Sequence, residues 1–405
     1  MPGQSEQSKR ELTRLGARAA GDMLEQHRLL NEPANQPRLS HYDAWGRRVD
    51  VIETHPAWRY MHAVAATEGV VADGYVDDAN CRVLQFAKLV LYNPSSALYQ
   101  CPLAMTDGAA QLLRLFLRRD VSTILAEAAQ QYFHDKPTRA AVALAEEALE
   151  RLLSRDPARM WTSGQWMTER GGGSDVAAGT QTIARMQPDG SYKLYGYKWF
   201  TSATDANVSL TLARIESDDG TTVDGTHGLS CFLLRVRAED GALNGIRVAR
   251  LKNKLGTKQL PTAEMELVGA VAHLVSKPGK GVAAITNGMV NVTRLYNGIA
   301  AASGIRRIVA LARDYSHRRV VFGQPLASLP LHVRTLAWME VNYRACLCMT
   351  MDIAAMVGLT QTWRGSKTAL CATLPGAAGR LTVDEAAGVV RIMTCALFCP
   401  GGDDD

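Results

Sequence analysis

Three consecutive glycines at positions 171–173 mark the segment of the sequence with the clearest capacity for binding chemistry. They lie between Thr168 and Ser174 in the string WMTERGGGSDV, which covers residues 166–176. Glycine lets the backbone approach a ligand closely, and exposed amides form concavities that bind anions. The segment therefore predicts a phosphate or pyrophosphate site. It lacks the GK[ST] of a Walker loop and the strand–helix context of a GxGxxG turn, and its glycine content alone fits a flexible domain connection equally well.

Two further segments combine aromatic side chains with polar or charged ones. GYKWFTS covers residues 196–202, about 30 residues after the first segment, and predicts a strand that carries an aromatic ring and hydroxyl groups. Most such aromatics are core residues. Arg319, Phe322 and Gly323 form an R-x-x-F-G string, whose simplest interpretation is a solvated basic turn. Neither segment indicates a function when taken alone.

The spacing of apolar residues predicts the elements that must position these segments. Residues 1–158 place apolar residues three and four apart, which predicts a helical domain. Residues 159–276 alternate apolar and polar positions, as at Val208, Leu210 and Leu212, which predicts a domain of half-buried strands. Residues 277–405 return to a helical period, with one stripe from Ile285 to Val309 and a second helix at about 331–359. The predicted fold class is α+β.

Composition limits the broad class of the protein and its partners. The chain has 405 residues, of which 47% are hydrophobic, and its net charge is +5. This charge is compatible with an anionic ligand such as a dinucleotide or CoA. No apolar run reaches the roughly 18 residues of a membrane helix, and no long Lys/Arg stripe with interleaved aromatics favours nucleic acid. The eight cysteines contain no CxxC pair, so no metal site is predicted.

The start of the chain carries no apolar core for a secretory signal, and its end carries no peroxisomal tripeptide. Several basic residues near the start resemble a transit peptide, but Glu6 and Glu11 count against one. The sequence predicts an intracellular, cytoplasmic protein and leaves a mitochondrial or peroxisomal location open.

Taken together and in this order, the three segments resemble the acyl-CoA dehydrogenase family of flavoproteins. The first looks like its [ST]-E-x-x-G-G-S-D signature, the second like its G-x-K-x-[WF]-x-[TS] strand, and the third like its R-x-x-F-G string. The strings YDAWGRRVD at 42–50, HPAW at 55–58 and RLKNKLG at 250–256 resemble the AidB-like, alkylation-response branch. The resemblance covers roughly residues 40–394 and implies a helical domain, a β-barrel or sandwich domain, and an incomplete bundle of long helices.

The resemblance implies an FAD cofactor and a homo-oligomer in which each FAD is shared between subunits. Thr168 would bond the flavin ring edge, Ser174 the pyrophosphate, and the Arg319 string the ADP half of a neighbour's FAD. Arg294 aligns with a family arginine near the active site and is a candidate active-site residue. The cofactor-binding residues that the resemblance implies are Met167, Thr168, Gly173, Ser174, Phe200, Thr201, Ser202, Arg319 and Phe322.

By resemblance, the reaction is α,β-dehydrogenation of an acyl-CoA thioester, for which a carboxylate must remove the α-proton. The sequence has no [YW]-E-G-[TS] string, where most members of the family carry this base. A minority place a Glu on the long helix just before the arginine, where this chain has Thr293. Residues 383–394 look like a family helix, whereas the following CALFCPGGDDD does not. We therefore expect a truncated end and no acyl-CoA oxidation at a family-like rate.

Two alternatives to an acyl-CoA dehydrogenase remain open from the sequence. The first is a flavoprotein associated with DNA, because the AidB-like branch is linked to the alkylation response. The second is a non-catalytic remnant that packs with full-length subunits. Bound flavin would separate the second alternative from the others, and salt-dependent DNA binding would identify the first.

Overall fold

The structure is a computed structural model that describes residues 2–117, 130–173, 175–238 and 240–362. Within these ranges helices come first, a β barrel follows and long helices come last, so the predicted α+β class is confirmed. The helices are α1 (Pro2–Ala20), α2 (Asp22–Asn31), α3 (Pro56–Thr67), α4 (Cys81–Tyr92), α5 (Gln100–Phe116), α6 (Arg139–Leu152), α7 (Val176–Gly179), α8 (Gly281–Ile285), α9 (Asn291–Arg318) and α10 (Pro330–Thr362).

Two short hairpins lie outside the barrel: β1 (Arg38–Tyr42) pairs with β2 (Arg48–Glu53), and β10 (Val320–Val321) pairs with β11 (Gln324–Pro325). The first hairpin corrects the prediction that residues 1–158 are helical. Its inward residue is the charged Asp50, so the strand lacks the apolar alternation that would reveal it. Burial alone would raise the pKa of Asp50, but hydrogen bonds from Arg48 and His41 outweigh it and lower that pKa.

The strands predicted between residues 159 and 276 are confirmed and close into a barrel. Strands β6, β4, β5, β9 and β7 pair in a ring, because β7 pairs with β6 as well as with β9. Strand β3 lies along the same edge of β6 as β4, and β8 pairs with β9. The strands are β3 (Ser163–Trp166), β4 (Ile183–Met186), β5 (Tyr192–Ser202), β6 (Val208–Ile215), β7 (Leu229–Arg235), β8 (Ile246–Leu251) and β9 (Thr262–Leu274).

Alternate residues of these strands fill the barrel, as a period of two requires. Trp166, Leu194, Phe232 and Met265 are fully buried in one continuous apolar cluster. The family signature usually has a small residue where this chain has Trp166. In this chain the Trp166 side chain lies in the barrel interior, as part of that apolar cluster.

Contacts between residues divide the chain into two compact units. Among the described residues, the helical unit contains residues 2–24, 73–96 and 294–362, and the barrel unit contains Glu25–Ala72 and the described part of Ala97–Thr293. The three domains 1–158, 159–276 and 277–405 remain a prediction, since the N-terminal helices contribute to both units. In the helical unit, the buried Lys88 of α4 donates to Asp73 at 2.5 Å and to Glu11 of α1 at 2.6 Å.

The structure contains the long helices that the sequence predicts after residue 277, but the first of them is interrupted. The apolar stripe that starts at Ile285 is not one regular helix, because a π-helical turn at Thr286–Val290 separates α8 from α9. Helix α10 has 33 residues and confirms the second prediction. Among the described residues, α10 alone has the length and mean hydropathy, 1.3 over 18 residues, to cross a membrane, although core helices of soluble proteins also pass this test.

Candidate functional site

A buried ion pair holds the glycine loop, residues 168–175, against the barrel. Lys198 of β5 is fully buried, and its Nζ donates to Glu169 Oε1 at 2.7 Å and to the Leu212 carbonyl at 2.9 Å. The Glu169 carboxylate also accepts from Thr182 Oγ1 at 2.5 Å and from the Gln181 backbone at 2.8 Å. Burial lowers the pKa of Lys198, although Glu169 favours its charged form. The carboxylate thereby fixes the start of the loop.

The predicted ligand-binding residues at the start of the loop lie at the barrel surface. Met167 and Thr168 are both half-buried, and the Thr168 carbonyl accepts a hydrogen bond from the Trp199 backbone at 2.9 Å. That bond joins the loop to the strand that carries the second predicted segment. Ser174 lies outside the residues that the structure describes.

Two of the glycines serve different purposes. A Cβ at Gly172 would fall 2.8 Å from the Asp175 carbonyl oxygen, so the loop can close only without a side chain there. A Cβ at Gly173 would meet nothing nearer than the Thr168 methyl group, at 3.7 Å, and Gly173 is exposed. Gly172 is therefore needed for the loop to fold, whereas Gly173 leaves its outer face open.

This difference gives a paired prediction. We expect Gly172→Ala to lower the free energy of unfolding by about 1–3 kcal/mol, because backbone must move to relieve the contact. We expect Gly173→Ala to change stability by less than about 0.5 kcal/mol but to weaken binding of an anionic ligand at the loop. Denaturant unfolding and ligand titration of both variants measure the two effects. Equal stability of the two variants would contradict this assignment.

A β-bulge near the end of β5 decides which side chains face outward. Lys198 pairs with Met265 and Thr201 pairs with Ala263, so three steps along β5 oppose two along β9. Such an extra residue interrupts the alternation of faces. Strict alternation from the inward Lys198 would turn position 201 outward, and the bulge reverses this.

The bulge separates the three residues that the sequence grouped together. Phe200 is 42% exposed, which is unusual for a large aromatic side chain, and Ser202 is half-buried beside it. Thr201 is fully buried, and its hydroxyl donates to the Ala263 carbonyl at 2.8 Å. The Thr201 side chain thus faces the interior, whereas Phe200 and Ser202 form the exposed face; a role for Thr201 in cofactor binding stays a prediction.

Behind Ser202 lies a polar chain that the sequence did not reveal. The Ser202 hydroxyl is 3.2 Å from Thr262 Oγ1, which accepts a hydrogen bond from Lys254 Nζ at 2.8 Å. Lys254 also donates to the Leu260 carbonyl at 3.0 Å. Burial lowers the pKa of Lys254 to about 8, and burial raises the pKa of the neighbouring Cys101 thiol to about 11.

One face of α5 connects this strand end to the start of α9. Four of its residues recur at steps of four, three and four, which places them on one side of the helix. They are Cys101, Met105, Gly108 and Leu112. Cys101 and Met105 pack with Ala203 and Ala206, directly after Ser202. A Cβ at Gly108 would lie 3.3 Å from the Thr293 methyl group and 2.6 Å from Met289. Thr293 therefore lies about one turn of α5 away from the segment that follows Ser202.

The remaining predicted residues belong to the helical unit. Arg294 is half-buried in α9, directly after Thr293. Arg319 is exposed, and Phe322 and Gly323 form the two-residue turn between β10 and β11, with φ of +52° and +76°. A positive φ is strained for a phenylalanine, and its ring is 93% exposed. Arg294, Arg319 and Phe322 therefore belong to a different compact unit from the glycine loop.

A cavity of about 450 Å³ opens at another place in the barrel unit. Residues 204–207 line one side of it and the hairpin residues 50–52 line another, and neither Phe200 nor Ser202 contributes. The Trp58 indole donates to the Asp205 carboxylate at 3.2 Å, which ties α3 to this segment. Among the described residues, no group of three His, Cys, Asp or Glu side chains could hold a metal ion. The exposed face beside the glycine loop therefore remains the candidate site.

Three family models match successive parts of the chain. The N-terminal domain of the adaptive response protein AidB matches residues 2–136, the acyl-CoA dehydrogenase middle domain matches residues 164–269, and the acyl-CoA dehydrogenase C-terminal domain matches residues 279–373. The chain belongs to the acyl-CoA dehydrogenase family, and its N-terminal region is of the AidB type.

Curated relatives agree with these matches. The chain is 46% identical to acyl-CoA dehydrogenase family member 11 of Caenorhabditis elegans over 359 residues, which cover 88% of this chain and 54% of that protein. It is 32% identical to the putative acyl-CoA dehydrogenase AidB of Escherichia coli (strain K12) over 335 residues, which cover 82% of this chain and 57% of that protein. The chain thus spans little more than half the length of these relatives.

Solved structures share the fold. The crystal structure of Caenorhabditis elegans ACDH-11 in complex with C11-CoA matches with a TM-score of 0.82 at 42% identity, over 99% of this chain and 64% of that one. Butyryl-CoA dehydrogenase from Megasphaera elsdenii matches with a TM-score of 0.60 at 16% identity, over 96% of this chain and 93% of that one. This second likeness concerns the fold alone.

Proposed function

We propose that this chain is a flavoprotein of the acyl-CoA dehydrogenase type, which binds FAD on the barrel face formed by the glycine loop, Phe200 and Ser202. The observation that carries the proposal is this face itself: an anchored glycine loop lies beside an exposed aromatic ring and a hydroxyl group. Bound FAD would supply the hydride acceptor for α,β-dehydrogenation of an acyl-CoA thioester. The crystal structure of the 42% identical ACDH-11 with C11-CoA supports an acyl-CoA thioester as the ligand class.

The residues present fit this cofactor. The open face at Gly173 accommodates a pyrophosphate close to backbone amides. The exposed Phe200 ring offers an apolar surface for a planar ring system. Thr168 and Ser202 carry hydroxyl groups that can each donate one hydrogen bond to a ring edge. Buried Lys198 and Glu169 hold the loop and the strand in one arrangement before the ligand binds.

Purified protein is expected to show the visible absorption band of bound flavin, either as isolated or after FAD is added and the excess removed. The reason is the preformed face described above, which needs no rearrangement of the loop. Gly173→Ala serves as the comparison, because it should fold normally and bind FAD about tenfold more weakly. Absence of the band under both conditions would contradict the proposed function.

We also propose that the protein forms a homo-oligomer through its helical unit. Large apolar side chains are exposed on two of its helices, namely Ile308, Leu311 and Tyr315 on α9 and Leu331, Trp338 and Val341 on α10. Exposed apolar groups of this kind are typical of protein interfaces. A second copy of the chain is the partner we propose, because the resemblance implies that the Arg319 string reaches a neighbouring subunit's FAD.

Arg319→Ala is expected to lower the ratio of FAD to protein, because charge-assisted contacts to phosphate are worth about 1.5–3 kcal/mol. Arg318→Ala is the matched control: Arg318 is its neighbour, but it pairs with Asp314 on its own helix at 2.7 Å. Flavin absorbance and light scattering measure occupancy and oligomeric state. A monomer whose FAD content is unchanged in the Arg319 variant would exclude the shared site.

A further inference from the structure

A chain of hydrogen-bonding groups next to Ser202 indicates how the proton of its hydroxyl is oriented. Lys254 Nζ donates to Thr262 Oγ1 at 2.8 Å, and Thr262 Oγ1 lies 3.2 Å from Ser202 Oγ. Thr262 is buried in β9, and Lys254 is half-buried. The chain therefore runs from a partly shielded cation, through a buried hydroxyl directly opposite on the neighbouring strand, to the hydroxyl on the exposed face.

The charge at one end of such a chain orients the protons along it. A hydroxyl has one proton to donate and two lone pairs. Because Thr262 Oγ1 accepts from the Lys254 ammonium, its own proton is favoured on the side of Ser202, and hydrogen bonds in a chain polarise one another. Ser202 Oγ then accepts from Thr262, so the Ser202 proton is free to point outward. The charge of Lys254 thus favours the orientation in which the Ser202 hydroxyl donates its proton toward a ligand on the exposed face.

We propose that Lys254 is a positioning residue for the flavin edge: acting through Thr262, its ammonium orients the Ser202 hydroxyl to donate to an acceptor atom of the bound isoalloxazine. The inference rests on the proposed function, since it assumes that FAD binds on this face. Lys254 Nζ bonds to Thr262 and acts on Ser202 through that hydroxyl, so it is distinct from the residues that would contact the ring.

The surroundings of Lys254 give the effect a pH dependence. Burial lowers the pKa of Lys254 to about 8, so the ammonium is mostly charged near neutral pH and mostly neutral about one pH unit above 8. Cys101 is a titratable neighbour of Lys254, and burial raises the pKa of its thiol to about 11. The thiol therefore stays neutral while Lys254 titrates, and FAD binding should weaken as Lys254 loses its charge.

The experiment measures the dissociation constant of FAD from apoprotein, by flavin fluorescence, at about pH 7 and about pH 9. The proteins are wild type, Lys254→Met, Ser202→Ala and the double variant, with Lys258→Met as a charge-matched control on the same segment. Lys254→Met and Ser202→Ala are each expected to bind FAD about tenfold more weakly than wild type at the lower pH, whereas Lys258→Met should bind like wild type. Because both act through one hydroxyl, the double variant should bind no more weakly than Ser202→Ala. At the higher pH, the dissociation constant of FAD from the wild-type protein should approach that from Lys254→Met.

Thr262→Val and Thr262→Ser provide a second test that does not alter Lys254. Thr262→Val removes the connecting hydroxyl and should weaken FAD binding as much as Lys254→Met does. Thr262→Ser keeps the hydroxyl and should bind FAD like wild type. Losses that multiply in the double variant, or a Lys254→Met protein that binds like wild type, would overturn the inference alone. Failure of the wild-type protein to bind FAD would overturn the proposed function as well.

Discussion

Lys198→Met is expected to lower the free energy of unfolding by about 3–5 kcal/mol, because it leaves the Glu169 carboxylate buried without its cation. The carboxylate would keep its hydrogen bonds from Thr182 and Gln181, but these do not neutralise its charge. The same change should release the start of the glycine loop, so FAD binding should fall with stability. Denaturant unfolding at constant protein concentration measures the first effect.

The control for this prediction is an exposed ion pair. Arg159 donates to Glu150 at 2.6 Å, and both side chains are more than half exposed, so Arg159→Met should change stability far less. A variant that replaces both Lys198 and Glu169 with neutral residues should recover part of the loss, because no uncompensated charge remains. If Lys198→Met unfolds at the same denaturant concentration as wild type, the pair does not anchor the loop.

Much of the fold could be predicted from the sequence because it follows from local periodicity. The alternation at Val208, Leu210 and Leu212 predicts the strand β6, although the structure buries both of its faces and not only one. The helical stripe after Ile285 predicts the long helices. Periodicity does not reveal irregular elements. The π-helical turn at Thr286–Val290 keeps the apolar residues in nearly the same stripe, and the β1–β2 hairpin buries a charged residue, Asp50.

Only those residues of the candidate site that lie within the sequence motifs could be predicted. Phe200 and Ser202 could be identified by resemblance, but the sequence could not show that a bulge turns Thr201 inward. Lys254 could not be recognised either, because its contact with Thr262 depends on how the segment before β9 folds back. The buried partners Glu169 and Lys198 lie one in each of the first two motifs and have opposite charges, so their pairing is compatible with the sequence pattern.

The position of Thr293 leads to the prediction with the largest effect on activity. Its hydroxyl donates to the Val290 carbonyl at 2.9 Å within its own helix, and a threonine hydroxyl is far too weak a base to remove an α-proton at neutral pH. Position 293 nevertheless lies about one turn of α5 from the segment that follows Ser202, since a Cβ at Gly108 would lie 3.3 Å from the Thr293 methyl group and Met105 packs with Ala203. A carboxylate placed at this position could therefore reach a substrate bound against that face.

We expect Thr293→Glu to raise the rate at which acyl-CoA bleaches the bound flavin by about 10²–10⁴-fold, the usual contribution of a positioned general base. The added carboxylate would accept the α-proton, and the rate should rise with pH as that carboxyl group ionises. Thr293→Gln is the matched control, because it has nearly the same shape and no basic oxygen. Anaerobic mixing of each FAD-loaded protein with short-, branched- and long-chain acyl-CoAs gives the rates. Rapid flavin bleaching by the wild-type chain, or equal rates for Thr293→Glu and Thr293→Gln, would contradict this role for position 293.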